Sequence, residues 1–109
     1  MRISVRDVGS AKVVEVDGEV DLGTSGDLRR TLFEALPTVR TVALNLGAIR
    51  YIDSSGIATL IEVLKRSQHL GKEFVLFGLS PAVLEVFRLT HVIRVFQVFQ
   101  TEQEALGAS

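Results

Sequence analysis

The sequence predicts an α/β fold: one mixed, mostly parallel sheet of about five strands with about four helices, in the order ββαβαβαβα. Three observations carry this. Short apolar runs with strand character recur along the chain, the segments between them place apolar residues at helical spacing, and Gly, Pro, Ser and Asp fall at the junctions. Strands that alternate with helices need crossover connections, which are right-handed in nearly all cases and generate a parallel sheet with helices packed on it. At 109 residues and 47% hydrophobic positions, the chain has the size and the apolar content for a single domain, 1–109, with a real core.

Ile3 and Val5, then Val13, Val14 and Val16, read as two short strands around Gly9-Ser10, a hairpin-like opening that adds an antiparallel element, with Gly18 ending the second strand. Thr24 or Ser25 can cap the first helix, in which Leu28, Leu32 and Leu36 recur every four residues until Pro37 stops it. Val42, Leu44 and Leu46 alternate with Thr41, Ala43 and Asn45 as a third strand. Ile57, Leu60, Ile61 and Leu64 follow with helical spacing, and Gly71 is a C-terminal stop. The run Phe74-Val75-Leu76-Phe77 is apolar throughout, as in a strand covered on both faces. Ser80-Pro81 supplies a cap and a first-turn proline for a third helix through Val83, Leu84, Val86 and Phe87. Val95 to Phe99 is the last strand, and Thr101 and Glu104 are spaced as a capping box for a short final helix.

Twelve Lys and Arg against thirteen Asp and Glu leave a net charge of −1, so the overall balance announces neither a nucleic-acid footprint nor an anionic-membrane patch. The absence of cysteine removes disulfide frameworks and thiolate metal sites and suits a reducing interior. No signal-peptide pattern opens the chain, and no run of eighteen or more apolar residues appears in it. The expectation is a cytoplasmic protein with no membrane insertion and no direct contact with nucleic acid.

The feature with chemical content is the hexapeptide Tyr51-Ile52-Asp53-Ser54-Ser55-Gly56, which puts two hydroxyls and a carboxylate where a strand turns into a helix. The first N–H groups of a helix lack intrahelical acceptors, and the peptide dipoles leave a partial positive charge there. Asp, Ser and anionic groups are favoured at such a place. Asp53 or Ser54 is the cap, and either way one serine hydroxyl stays near solvent. In an open parallel sheet the carboxyl ends of strands feed the functional loops, and Asp21, after the second strand, belongs to the same end. Taken alone, the hexapeptide is also what an ordinary cap and turn looks like.

The chain resembles the STAS domain family, and within it the bacterial anti-sigma factor antagonists switched by serine phosphorylation. The matching pieces are Gly18-Glu19-Val20-Asp21, the strand Leu44-Asn45-Leu46, the turn Asp53-Ser54-Ser55-Gly56, Ser80-Pro81 before a helix, and Phe99 with Thr101-Glu102. Each is weak alone; their order and spacing are specific, and they cover nearly the whole chain. The resemblance implies that Ser54, the serine after the aspartate, is the phosphoacceptor, with Asp21, Asp53, Ser55 and Gly56 around it. It further implies a partner surface of Glu19, Asp21, Asp53, Ser54, Ser55 and Ile57. The implied partners are a GHKL-type serine kinase that is itself the anti-sigma factor, and a PP2C-type phosphatase that restores the unphosphorylated form. That form would bind the anti-sigma factor and release the sigma factor. Another group in the family keeps the turn and serves as an unphosphorylated scaffold in lipid-transport ABC complexes of the envelope or other membrane-associated assemblies.

Other readings find less support. The chain lacks G-x-S-x-G, and no recognisable motif places His69 or His91 as a base beside a serine, so the expectation is not an enzyme. Neither G-x-x-x-x-G-K-[ST] nor G-x-G-x-x-G is present to cradle a nucleotide, no cofactor is implied, and nothing in the spacing of the carboxylates demands a metal. Glu19 and Asp21 read equally well as loop carboxylates that help a helix start. Phe74, Phe77, Phe87, Phe96 and Phe99 lack interleaved basic residues and read as core. Arg29, Arg30, Lys65, Arg66 and Lys72 form a solvated face or border a protein interface.

Overall fold

The computed structural model describes residues 1–107. Strands β1 (Arg2–Val8) and β2 (Ala11–Val20) form the antiparallel hairpin, in register Val5↔Val14, about the Gly9-Ser10 turn. β2 then runs parallel to β3 (Thr41–Ile52), β3 to β4 (Glu73–Phe77) and β4 to β5 (Gln97–Phe99), giving the sheet order β1-β2-β3-β4-β5. The helices are α1 (Ser25–Ala35), α2 (Ser54–Leu70), α3 (Pro81–Leu89) and α4 (Glu102–Gly107). The expected order ββαβαβαβα is the one found.

Alternation along the strands sorts the core into two layers. Val14, Val16, Val42, Leu44, Leu46, Phe74 and Leu76 meet Leu28 and Leu32 of α1, Ile57, Leu60 and Val63 of α2, and Val83 and Phe87 of α3. The intervening residues Val13, Ala43, Val75 and Phe77 point to the opposite face, where Ala105 of α4 covers them. Because β4 is buried on both faces, its four consecutive apolar residues have no solvent side, as the uninterrupted run predicts. Leu28, Leu32, Leu44 and Leu60 are fully excluded from water, and each would cost about 2–5 kcal/mol if cut to Ala.

Local signals are honoured where local geometry decides. Ser80 Oγ accepts from Val83 N–H at 3.3 Å with Pro81 in the first turn, and Gly71 closes α2 in the left-handed region at φ 69°. The capping box of α4 is complete: Thr101 N–H donates to Glu104 Oε1 at 3.2 Å and Glu104 N–H to Thr101 Oγ1 at 3.2 Å. Arg6 of β1 pairs with Glu102 through both carboxylate oxygens and ties α4 to the hairpin, which lowers the pKa of Glu102 and raises that of Arg6.

Three expectations are corrected. Gly18 does not end β2; the strand continues to Val20 through two register shifts, and Gly18 takes φ 130° inside it. A side chain there would also meet the Met1 backbone at 3.1 Å, so this glycine marks a bulge rather than a stop. β3 runs past Leu46 to Ile52, up to the expected strand-to-helix junction, because β2 accompanies it to the Val20↔Ile52 pair after β4 has left at Phe77. β5 starts at Gln97 rather than Val95, since a 3-10 turn over Val92–Arg94 occupies the chain before it. Thr24 holds the cap position of α1, yet its hydroxyl donates back to Glu19 C=O at 2.9 Å, and Asp21 does the capping work.

Candidate functional site

The long β2–β3 pairing carries two loops to the same end of the sheet. Val20 and Ile52 are partners, and Asp53 N–H donates to Val20 C=O at 3.2 Å, so the chain after β2 and the start of α2 are stitched side by side. Asp53 is the cap of α2: its Oδ1 accepts from Ser55 N–H at 2.9 Å, Ser55 Oγ at 2.9 Å and Gly56 N–H at 3.2 Å. Partial desolvation opposes its ionisation, but these hydrogen bonds outweigh it and hold the carboxyl below its ordinary pKa.

The two serines are thereby distinguished. Ser55 is half-buried and its hydroxyl is spent on Asp53. Ser54 is exposed at the first position of α2, and among the described residues nothing hydrogen-bonds its hydroxyl. Of the two hydroxyls left open by the sequence, Ser54 Oγ is the one available to an incoming group.

Gly56 fixes the height of this helix start. A Cβ built on it would lie 2.7 Å from Ile52 Cγ1, 2.8 Å from Val20 Cγ1 and 3.0 Å from Val20 O, so α2 begins against the backbone of β2 with no room for a side chain. Asp21 orders the neighbouring loop, its Oδ1 accepting from Gly23 N–H at 2.9 Å and Thr24 N–H at 3.1 Å. Glu19 is exposed beside it. The structure therefore brings Glu19, Asp21, Asp53, Ser54, Ser55 and Gly56 to one end of the sheet.

Ile57 is the exception. Its side chain is 8% exposed and packs with the α1/α2/α3 core, so it anchors α2 to the sheet instead of facing outward. The surface that sequence reasoning missed is apolar: Leu22 is 82% exposed between Asp21 and α1, and Tyr51 is 49% exposed before Asp53. Leu22 had a signal, a lone Leu in a polar loop before the helical repeat. Tyr51 had none, because an aromatic at a strand end reads as core.

This end of the domain is a loop-built surface with an available hydroxyl among carboxylates. Residues 2–105 match the model of the STAS domain, and the chain belongs to that family. It is 35% identical over 69 residues to BtrV of Bordetella bronchiseptica, a match covering 63% of this chain and 60% of that one, under two thirds of the relative's length. It is 28% identical over 94 residues to the anti-sigma-B factor antagonist of Listeria monocytogenes, covering 84% of this chain and 82% of that one. Among solved structures it superposes on the anti-sigma factor antagonist SpoIIAA in its unphosphorylated form, with a TM-score of 0.80, 22% identity and coverage of 96% and 93%. The phosphorylated form of the Bacillus protein SpoIIAA gives a TM-score of 0.75 at 21% identity, covering 98% of each chain. At these identities the structures establish the shared fold. No helix among the described residues is long and apolar enough to cross a membrane.

Proposed function

We propose that this chain is an anti-sigma factor antagonist whose binding is switched by phosphorylation of Ser54. The observation that carries the reading is the division of labour at the start of α2: Asp53 Oδ1 takes the Ser55 hydroxyl and the N–H groups of Ser55 and Gly56, leaving Ser54 Oγ exposed and unbonded. The names of its relatives, and the solution of SpoIIAA in both phosphorylation states, support this reading.

In the unphosphorylated form Leu22, Tyr51 and the Ser54 turn meet a GHKL-type kinase that is also the anti-sigma factor, and this frees the sigma factor. The kinase supplies the ATP and magnesium; the antagonist supplies the hydroxyl and catalyses nothing. Phosphorylation adds about −1.5 to −2 charges at pH 7 next to Asp53, in an interface that already holds Asp21 and Glu19. A tenfold loss of affinity needs only about 1.4 kcal/mol, within reach of like charges brought together and desolvated. A PP2C-type phosphatase reverses the step.

Incubation with each GHKL-type kinase of the source organism and ATP, read by mass spectrometry, tests the acceptor. One phosphate on the parent and none on Ser54→Ala is the expected result; a phosphate on Ser54→Ala overturns the assignment. Ser54→Asp is expected to weaken kinase binding at least about tenfold. Indifference to that substitution points instead to an unswitched scaffold.

A further inference from the structure

The basic residues of α1 and α2 lie away from the Ser54 turn and have no part in the switch. Arg29 and Arg66 assemble around one side chain. Phe33 of α1 is half-buried, and its ring carries the Arg29 guanidinium at 4.5 Å and the Arg66 guanidinium at 5.8 Å. Phe33, Glu62, Lys65, Arg66 and His69 line an open groove of about 430 Å³ between the two helices. Glu62, Lys65, Arg66 and His69 follow the three- and four-residue spacing that keeps side chains on one helix face.

The charges in this groove do not balance. Glu62 is taken by Arg29 at 3.0 Å and Asp27 by Arg30 at 3.2 Å. Among the described residues no carboxylate lies within 4.0 Å of the Lys65 or Arg66 cations, nor of His69, and Glu34 on the adjacent face of α1 pairs with neither. The result is a groove with two exposed cations that lack a carboxylate partner, Arg66 over the Phe33 ring and Lys65 on the same lining.

We propose that this groove docks an acidic, amphipathic segment of the same protein partner that engages Ser54, with carboxylates on Lys65 and Arg66 and an apolar side chain on Phe33. The proposal rests on the Ser54 reading for the partner's identity, and charge complementarity supplies its chemistry. Continuity supplies its reach: Ser54 and Arg66 are twelve residues apart on one helix, about 18 Å along its axis. A standard interface buries about 800 Å² per partner, a patch roughly 30 Å across, so one protein can cover both the Ser54 turn and the groove within a standard footprint. The groove lies beyond the reach of a phosphate charge in screened solvent, since about 8 Å is the Debye length at physiological salt. It therefore gives the partner a foothold that phosphorylation leaves intact, and the switch acts on one end of a two-point contact.

The test has two arms. In the first, a short amphipathic peptide rich in Glu and Leu is titrated into the full chain and followed by amide NMR, with the Lys65→Glu/Arg66→Glu double variant alongside. Both positions are exposed, so the variant keeps the fold, which its own spectrum checks. Shifts at Phe33, Lys65, Arg66 and His69 that weaken about tenfold in the variant and fade with added salt support the groove. No binding to the parent at low salt, or equal binding by the variant, overturns it. In the second arm the kinase that modifies Ser54 is titrated against both proteins. A roughly tenfold weaker complex, with complete Ser54 phosphorylation still reached at saturating kinase, supports the shared partner; equal affinity overturns it. If no kinase modifies Ser54, the switch reading fails while the peptide arm still judges the groove.

Discussion

Replacing Gly56 by alanine tests whether the helix that presents Ser54 is placed by backbone contact with β2. Alanine in the first turn of α2 gains at most about 1 kcal/mol of helix propensity. Against that, the new methyl would lie 2.7 Å from Ile52 Cγ1 and 2.8 Å from Val20 Cγ1, both on buried β-branched side chains with restricted χ1 freedom to move aside. It would also stand 3.0 Å from Val20 O, the acceptor of the Asp53 N–H, so relieving the clash breaks that bond. Overpacking of this kind costs about 1–3 kcal/mol, and a lost buried hydrogen bond about 1 kcal/mol more. The net expectation is a loss of about 2 kcal/mol, which for a domain of this size lowers Tm by roughly 8–16 °C. Urea unfolding followed by circular dichroism measures it. Gly26→Ala is the control: it lies in the first turn of α1 with nothing within 4 Å, and should gain about 0.4–1 kcal/mol. A Gly56→Ala midpoint equal to or above the parent's would refute the close approach and with it the account of how Ser54 is positioned.

Asp53→Ala removes the cap of α2 and should cost about 1 kcal/mol, whereas Asp53→Asn keeps an acceptor and should cost less; chemical denaturation separates the two. Because the folded pKa of Asp53 lies below its ordinary value, its ionised form contributes stability above the unfolded carboxylate pKa. That contribution is lost as pH falls through the lower folded pKa, so the parent's advantage over Asp53→Asn should vanish in acid. Glu102 has the same sign, its pKa lowered by Arg6, and Glu102→Gln should remove about 0.2–1 kcal/mol at neutral pH and low salt, read as earlier unfolding in urea. Phosphorylation of Ser54 should leave Tm within a few degrees of the unmodified protein, whereas a large shift would place the switch in the fold rather than at the interface.

What the sequence shows about this domain depends on how far a signal travels along the chain. The Gly9-Ser10 hairpin, the Ser80-Pro81 start of α3, the Gly71 stop and the Thr101/Glu104 box are each settled within a few residues, and each is found as read. The reading of Gly18 fails because it answers to a distant partner. Gly18 looks like a terminator until β3 is seen to hold β2 in register beyond it. At the site, Asp53 as cap and Ser54 as the exposed hydroxyl follow from helix chemistry, but the choice between them needed the three hydrogen bonds on Oδ1. The steric role of Gly56 and the inward turn of Ile57 are tertiary facts with no local signature.

The occupied cap also decides what a phosphate at Ser54 can do. A phosphoserine at a helix start ordinarily folds inward, because free N–H groups and the dipole offer it a site. Here Asp53 Oδ1 already holds the N–H groups of Ser55 and Gly56, and Ile57 N–H donates to the Asp53 carbonyl at 3.0 Å. To claim them a phosphate would have to displace a carboxylate fixed by three hydrogen bonds and one residue away, with like-charge repulsion opposing the exchange. The attraction of the dipole and the repulsion of Asp53 would act on a phosphate in opposite senses, so Asp53 weakens the pull of the helix start. On the proposed reading the phosphate would stay outward, where the exposed hydroxyl now is, and meet the protein proposed to cover Leu22, Tyr51 and Ser54. The same aspartate that leaves the hydroxyl free would then keep the phosphate on the surface, and a change in the partner's affinity would need no second conformation of the domain.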